Sequence, residues 1–473
     1  MKEPRSASLL QSLVPVICLI LFLGGNILLL EGSPHIPLIL GTLVASLMGL
    51  YLGFSWKTIE KGIVEGITIA LQACLILIVV GLLIGTWIIS GIVPTMIYYG
   101  LQVLSPTIFL VSTCLICALV SLATGSSWST AGTVGIALIG IGQGLGIPLP
   151  LVAGAIVSGA YVGDKMSPLS DTTNLAPAVA GAEMFSHIRH MMYTTGPSFL
   201  ISLVLYTIIG FMFESKALNM EDIDQINGAL QATFDLNLWL LTAPVIVIAM
   251  VIRRIPALPA LLAGAIIGGV FALIFQDVTI KEVVAAAQYG YVADTGTLSV
   301  DDLLTRGGLE SMLSTVALIL TALAFGGAME KTGMLAVIAA SVLKLARSVG
   351  SLVLATLFTC FSMNILAPDQ YLSIVVPGRM YRDAFKRHRL APQNLSRCLE
   401  DAGTMASPLI PWNTCGAYMW VTLGVYPLAY LPFAFVNLLN PVFSAFFGFT
   451  GLTMKKESSK QSKVLVKGEH VNE

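Results

Sequence analysis

The sequence predicts an all-α polytopic membrane protein made of two inverted-topology repeats, each with a re-entrant helical hairpin and a broken transmembrane helix. Three observations carry this. Of 473 residues, 56% are hydrophobic and 11% are charged, whereas a soluble domain carries roughly 25% charged residues. Apolar runs of about 20 residues, the length that spans a hydrocarbon core, recur along the chain. A Ser-Pro-Leu break at 167–169 also returns at 407–409 with polar residues after it.

The first apolar run, 9–31, follows Lys2 and Arg5. It is longer than the apolar region of a signal peptide and lacks a small-residue cleavage site, so it reads as a retained span. Further runs lie at 37–54, 66–90, 195–213, 237–252, 256–276, 309–330 and 427–449. Residues 106–147 and 350–377 are interrupted by polar centres, Gly125-Ser126-Ser127-Trp128-Ser129-Thr130 and Asn364-Ile365-Leu366-Ala367-Pro368-Asp369-Gln370. Both read as hairpins that dip in and return. The spans at 150–182 and 398–425 are broken at Ser167-Pro168-Leu169-Ser170-Asp171-Thr172-Thr173-Asn174 and at Ser407-Pro408-Leu409-Ile410-Pro411-Trp412-Asn413-Thr414. Proline removes a backbone donor, and unwound backbone at membrane depth survives only where it is buried in protein or lines a cavity. Segments 92–104 and 333–349 fit no crossing and read as interfacial arms, with an extra crossing in each half as the competing reading.

Ser167 maps onto Ser407 at an offset of 240 residues, and the same offset lays Ser129 over Asp369. Glu65 and Gly81 match Glu310 and Gly326 with equal internal spacing. The expected divisions are 1–213, a first repeat; 214–236, an acidic extracytoplasmic linker; 237–449, a second repeat; and 450–473, a disordered cytoplasmic tail. Basic residues mark cytoplasmic loops. Lys57 and Lys61 place one loop inside, while its counterpart at 277–308 is acidic. The uncharged 143–149 corresponds to a loop with Arg379, Arg382, Lys386, Arg387, Arg389 and Arg397. Each pair changes side, so the repeat is inverted, with ten crossings, two hairpins and both termini cytoplasmic.

Discontinuous helices at an inverted-repeat interface predict a midplane site. Asp164, Lys165, Asp171 and Asp369 are ionisable groups at membrane depth, and such groups mark function by default. A carboxyl group that is protonated when empty and ionised with a cation bound exchanges the two ions at one site. Asp171 and Asp369 are the first choice for this role and Asp164 joins them; a helix cap is the competing reading. Ser126, Ser127, Ser129, Ser167, Thr172, Thr173, Asn174, Asn364, Asn413 and Thr414 offer the hard oxygen ligands that Na+ takes, with the ion expected at Asp171, Asp369 and Asn174. Asp164 and Lys165 read as an internal ion pair or a proton relay. Glu400 and Asp401, at the cytoplasmic end of the matching span, are solvated or functional. His187 and His190 are expected in a cytoplasmic connection, in a plain interfacial role, with pH sensing as the competing reading.

Several classes are excluded. A net charge of -1 gives no field for a polyanion, so nucleic acid is no partner. Cys114 and Cys117 form a CxxC inside an apolar run and read as small packing residues. The glycines at 140, 142, 144 and 146 follow a membrane helix rather than a strand, which fails the dinucleotide pattern. No Walker loop, nucleophile–base arrangement or metal-ligand spacing points to an ATP-driven pump or an enzyme, and no cofactor is implied.

The block Gly163-Asp164-Lys165-Met166-Ser167-Pro168-Leu169-Ser170-Asp171-Thr172-Thr173-Asn174-Leu175-Ala176-Pro177 resembles the NhaC-type Na+/H+ antiporters. So do Ala123-Thr124-Gly125-Ser126-Ser127-Trp128-Ser129-Thr130 and Met405-Ala406-Ser407-Pro408-Leu409-Ile410-Pro411-Trp412-Asn413. The resemblance implies a bacterial plasma-membrane antiporter of Na+ and H+, a homodimer with a scaffold domain, and a transport domain that moves as an elevator. Similar proteins exchange small organic acids such as malate and lactate. Asp369 at the second tip favours a cation, whereas Lys165 keeps a carboxylate substrate open.

Overall fold

The structure is a computed structural model that describes residues 4–30, 32–214 and 220–457. Lys2, residues 215–219 of the expected linker and 458–473 of the expected tail lie outside the described residues. Among the described residues the chain is helical, with two isolated β-bridges, Tyr291 to Arg306 and Leu390 to Lys456. Seven helices among the described residues are long and apolar enough to cross a membrane, or nine when each of two bent pairs counts as one span. The bent pairs turn by 96° before Leu238–Ile252 and by 62° before Phe435–Thr450.

Ten crossings were expected, and the difference lies in particular elements. The nine include Pro106–Thr124 and Val349–Leu366, the first arms of the expected hairpins. The run at 37–54 forms His35–Tyr51, of 17 residues. The elements at 150–182 and 398–425 are divided by their breaks into pieces too short or too polar to count. The first gives Leu149–Met166 and Asp171–Ala180. The second gives Pro392–Cys398, a wide π-type turn at Leu399–Thr404, and Thr414–Leu423. The arms at 92–104 and 333–349 contain helices of 12 and 10 residues. At 1.5 Å per residue these reach about 18 and 15 Å, well under a hydrocarbon core of about 30 Å.

Two helices begin well before the apolar runs that announce them. Trp56–Ile89 has 34 residues and starts at Ser55, whose hydroxyl accepts from the Thr58 N–H at 3.2 Å. Met184–Glu214 has 31 residues and takes in His187, His190 and Thr194, all buried. The two histidines therefore belong to a packed helix, not to an interfacial connection. The acidic linker holds a helix, Met220–Thr233. The start of the tail is docked rather than disordered: the Ala391 N–H donates to the Lys455 carbonyl at 2.9 Å, and the Glu457 N–H to the Arg389 carbonyl at 3.0 Å.

Glycine sets the closest packing. Trp56–Ile89 lies against Leu309–Lys331 with Gly62 and Gly66 facing Gly327. A Cβ on Gly66 would sit 2.6 Å from the Leu323 carbonyl oxygen and 2.9 Å from the Gly327 Cα. Small residues let membrane helices approach, and dispersion then does what the hydrophobic effect cannot do in lipid. Pro106–Thr124 packs on Leu149–Met166 in the same way. Gly159 leaves room for Cys117, and both Cys114 and Cys117 are buried free thiols.

Gly66→Leu is expected to push the two helices apart and to cost about 1–3 kcal/mol, read as a lower melting temperature of the detergent-solubilised protein. Gly228→Ala, where an added Cβ meets nothing within 4 Å, should show no such loss.

Candidate functional site

Four helix breaks meet around one cavity, and each is held by its own polar side chains. At the first, Gly125 adopts φ 72°, and a Cβ there would lie 2.7 Å from the Leu169 carbonyl carbon. Glycine thus permits both the turn and its contact with the 167–170 break. Ser126 then caps the next helix, its hydroxyl accepting from the Ser129 N–H at 3.1 Å. At the second break, the Asn174 amide donates to the carbonyls of Pro168 at 3.0 Å and Ser170 at 2.7 Å. At the third, Asp369 caps Gln370–Arg387, accepting from Tyr371 N–H at 2.9 Å and Leu372 N–H at 3.2 Å. At the fourth, the Asn413 side chain accepts from the Cys415 N–H at 3.0 Å.

Side chains also tie the breaks to one another. The Trp128 ring stacks on Tyr418 with centroids 4.2 Å apart, and the Tyr418 hydroxyl donates to the Trp128 carbonyl at 2.7 Å. The Tyr371 hydroxyl reaches Asp171 at 3.3 Å. The Trp412 indole donates to the Ile365 carbonyl at 3.0 Å, and the Thr414 N–H to the Pro368 carbonyl at 3.1 Å.

The cavity measures about 700 Å³ and is lined by Asp164, Asp171 and Asp369, with Ser126, Ser127, Ser170, Thr172, Asn174 and Thr414 among the polar groups. Asp164 is buried and accepts from the hydroxyls of Ser127 and Ser170, each at 2.6 Å. Asp369 is buried, with the Thr414 hydroxyl at 3.5 Å besides its two cap donors. Asp171, at the first position of Asp171–Ala180, is exposed to the cavity. Trp128, Gln370 and Tyr371 complete this side; Gln72 from Trp56–Ile89 and Arg254 line the other. Arg254 is the one cationic side chain among the lining residues. Nothing in the local sequence pattern singled out Gln72 or Arg254, which come from outside the breaks.

Five expected ligands face elsewhere. Asn364 donates to the Gly403 carbonyl at 2.8 Å, and Asn413 donates to the Asn364 side-chain oxygen at 3.0 Å. These two amides pin the third and fourth breaks together. The Ser167 hydroxyl donates to the Leu122 carbonyl at 2.8 Å. The Thr173 hydroxyl binds the Asp164 and Lys165 carbonyls at 3.0 and 2.9 Å, closing a helix end whose carbonyls have no helical partner. The Ser129 hydroxyl is buried without a partner.

Asp164 and Lys165 do not pair with each other. Successive residues on a helix point apart. While Asp164 walls the cavity, the Lys165 ammonium is buried on the other side and donates to the Asp401 carboxylate and, at 2.6 Å, to the Asn440 side-chain oxygen. The Thr194 hydroxyl donates to Asp401 at 2.9 Å, and the Arg397 Nε lies 3.8 Å from it. Asp401 and Glu400 are fully buried, which overturns the solvated reading. Residue type hid this cluster, since Glu400-Asp401 resembles a solvated helix end. The available signal was that Lys165, if buried, needed a counterion, and this is the only acidic pair within 398–425.

Lys165→Met leaves Asp401 buried with Arg397 as its remaining charged partner. Breaking a buried pair costs about 3–5 kcal/mol, so the variant is expected to melt at a distinctly lower temperature in detergent than the wild type, whereas Lys61→Met, at an exposed pair, should change little.

The model of a family described as the Na+/H+ antiporter family matches residues 159–452. The malate-2H(+)/Na(+)-lactate antiporter of Bacillus subtilis is 40% identical over 95% of this chain and 96% of its own. The Na(+)/H(+) antiporter NhaC of Alkalihalophilus pseudofirmus is 40% identical over 93% and 95%, and the arginine/ornithine antiporter ArcD of Halobacterium salinarum is 39% identical over 96% and 94%. Matches of this extent, across both the cavity and the buried pair, place the chain in the Na+/H+ antiporter family, whose members are transporters and not enzymes.

Proposed function

We propose that this protein exports Na+ in exchange for H+ at the cavity between the four breaks. The observation that carries the reading is the cavity wall: three carboxyl groups with hydroxyls beside them, against one cationic side chain, Arg254, while other groups suited to an anion are engaged elsewhere. Lys165 is paired with Asp401 and Asn440. Three of the four helix N-termini at the cavity are capped by side chains of their own, Ser126, Asp369 and Asn413. What remains is a net acidic chamber.

Asp171 and Asp369 are the shared carboxylates and Asp164 the third, with Ser126, Ser127, Thr172, Thr414 and the free oxygen of Asn174 as neutral ligands. Two influences oppose each other at Asp369. Burial favours the neutral carboxyl form; the N-terminus of Gln370–Arg387 and its N–H donors favour the carboxylate. A group balanced in this way changes state when a cation arrives. Sodium binding then releases a proton to one side, and sodium release takes one up on the other. We read the two halves as inverted repeats, each with a re-entrant hairpin. The access change is an elevator-like movement of the broken elements, in a homodimer of a bacterial plasma membrane with both termini cytoplasmic. The alternation of basic and acidic loops supports that orientation.

A second reading, Na+- and H+-coupled exchange of an organic acid, draws on one observation. A cavity of about 700 Å³ has the volume of a small-molecule site, far more than one ion fills. A relative named for malate and lactate points the same way.

In everted vesicles with a pH-sensitive dye, added sodium should collapse a proton gradient. Asp369→Asn and Asp171→Asn are each expected to slow this by about tenfold or more, equivalent to about 1.4 kcal/mol; full exchange in both variants overturns the site assignment. In proteoliposomes, sodium-dependent uptake of labelled malate, lactate or arginine would select the organic-substrate reading over ion exchange alone.

A further inference from the structure

Glu400 stands apart from every other buried carboxyl group of the site. It lies in the wide turn Leu399–Thr404, its side chain is fully buried, and neither carboxyl oxygen has a well-aligned hydrogen-bond partner, the Thr404 hydroxyl being the one donor beside it. Asp164 has two hydroxyl donors, Asp369 two backbone N–H donors, and Asp401 an ammonium and a hydroxyl. Transferring a bare carboxylate into such surroundings is so costly that the group neutralises instead. Packing does not require an acid here, since an uncharged side chain of the same length would fill the space.

The charges that reach Glu400 are those of Lys165, which attracts, and of Asp164 and Asp401, which repel. Arg397, three residues earlier, lies beside the neighbouring Asp401. The helix Gln370–Arg387, also packed against this turn, has all its arginine, lysine and aspartate side chains exposed. Two of the three charges come from adjacent residues, 164 and 165, of one helix. One of these residues walls the cavity and the other is bound to Asp401, so the cavity and Glu400 share a short electrostatic link.

We propose that Glu400 is a second proton-binding site, linked to the cavity through Asp164 and Lys165, and that it loses its proton when the cavity takes sodium. The proposal rests on the sodium/proton reading above. With the cavity empty of sodium, the exchangeable proton sits on Asp171 or Asp369, while ionised Asp164 repels negative charge at Glu400 and the proton there stays. Sodium beside Asp164 offsets that repulsion, and the proton it displaces comes from Asp171 or Asp369, neither of which is among the charges that reach Glu400. The proton then leaves, and ionised Glu400 and Asp401 face Lys165 and Arg397, two carboxylates against two cations. For each sodium that enters, one proton leaves the cavity carboxyl groups and one leaves Glu400.

The test uses the purified full-length protein in detergent, with sodium binding followed by calorimetry and proton release by an indicator dye. Glu400→Gln should still bind sodium while releasing about one proton fewer per sodium than the wild type. Glu400→Asp should keep the wild-type proton count with a displaced pH profile. In sodium-induced infrared difference spectra, the wild type should lose a protonated-carboxyl band that shifts in Glu400→Asp, a readout that stands even if Glu400→Gln does not fold. Unchanged proton release in a sodium-binding Glu400→Gln, or a carboxyl band that Glu400→Asp leaves in place, overturns the proposal. A wild type that binds sodium without releasing any proton overturns the sodium/proton reading itself, a result distinct from either of these.

Discussion

A helix that stops inside a membrane must satisfy its last carbonyls and first N–H groups from within the protein, because lipid supplies no partner. Everything around the cavity follows from that constraint. Four interruptions bring four sets of orphaned backbone groups into one region, and Ser126, Thr173, Asn174, Asp369 and Asn413 answer them. The residues that make the breaks tolerable thus come from the same polar inventory as those that face the cavity. They divide by geometry. Asn364 and Asn413 spend their amides on each other and on backbone, while Asp164 and Asp369 are held by donors yet still reach the lumen.

What could be read from the sequence was what is encoded locally. Proline and a run of polar residues inside an apolar stretch are enough to place the breaks near 167–170 and 407–413. Length and composition are enough to recognise the long helices. Two kinds of feature escaped. Helix starts at Trp56 and Met184 lie within polar sequence, because His187, His190 and Thr194 are buried against other helices rather than wetted. Pairings across great sequence distance leave no local trace either. Lys165 meets Asp401 236 residues away, and only folding reveals which of its neighbours it serves. The same limit explains why Asn364 and Asn413 read as ligands: an amide at a break looks alike whether it faces an ion or another amide.

The helix Leu149–Met166 separates two electrostatic environments by one residue. Asp164 faces a hydroxyl-lined chamber that water and ions can fill. Lys165 faces a dry cluster with Asp401, Arg397 and Asn440. A buried pair of this kind contributes little net stability over an apolar replacement, yet costs heavily when halved. Its value here is positional. It fixes the rotation of the helix end and hence the direction in which Asp164 points. The glycine contacts between Trp56–Ile89 and Leu309–Lys331 position the cavity's opposite wall in the same way, through backbone approach rather than charge.

The docked segment after Gly451 bears on protein engineering. Arg397 donates to the Thr453 hydroxyl at 2.8 Å and to the Met454 sulfur at 3.3 Å, while Asn394 donates to the Lys455 carbonyl at 2.7 Å. The chain as far as Glu457 is therefore part of the lid over the buried cluster, although its composition looks like the start of a dispensable extension. A purification tag or fluorescent fusion belongs beyond Glu457. A boundary drawn at the end of the last apolar helix would uncover a guanidinium that the fold keeps dry.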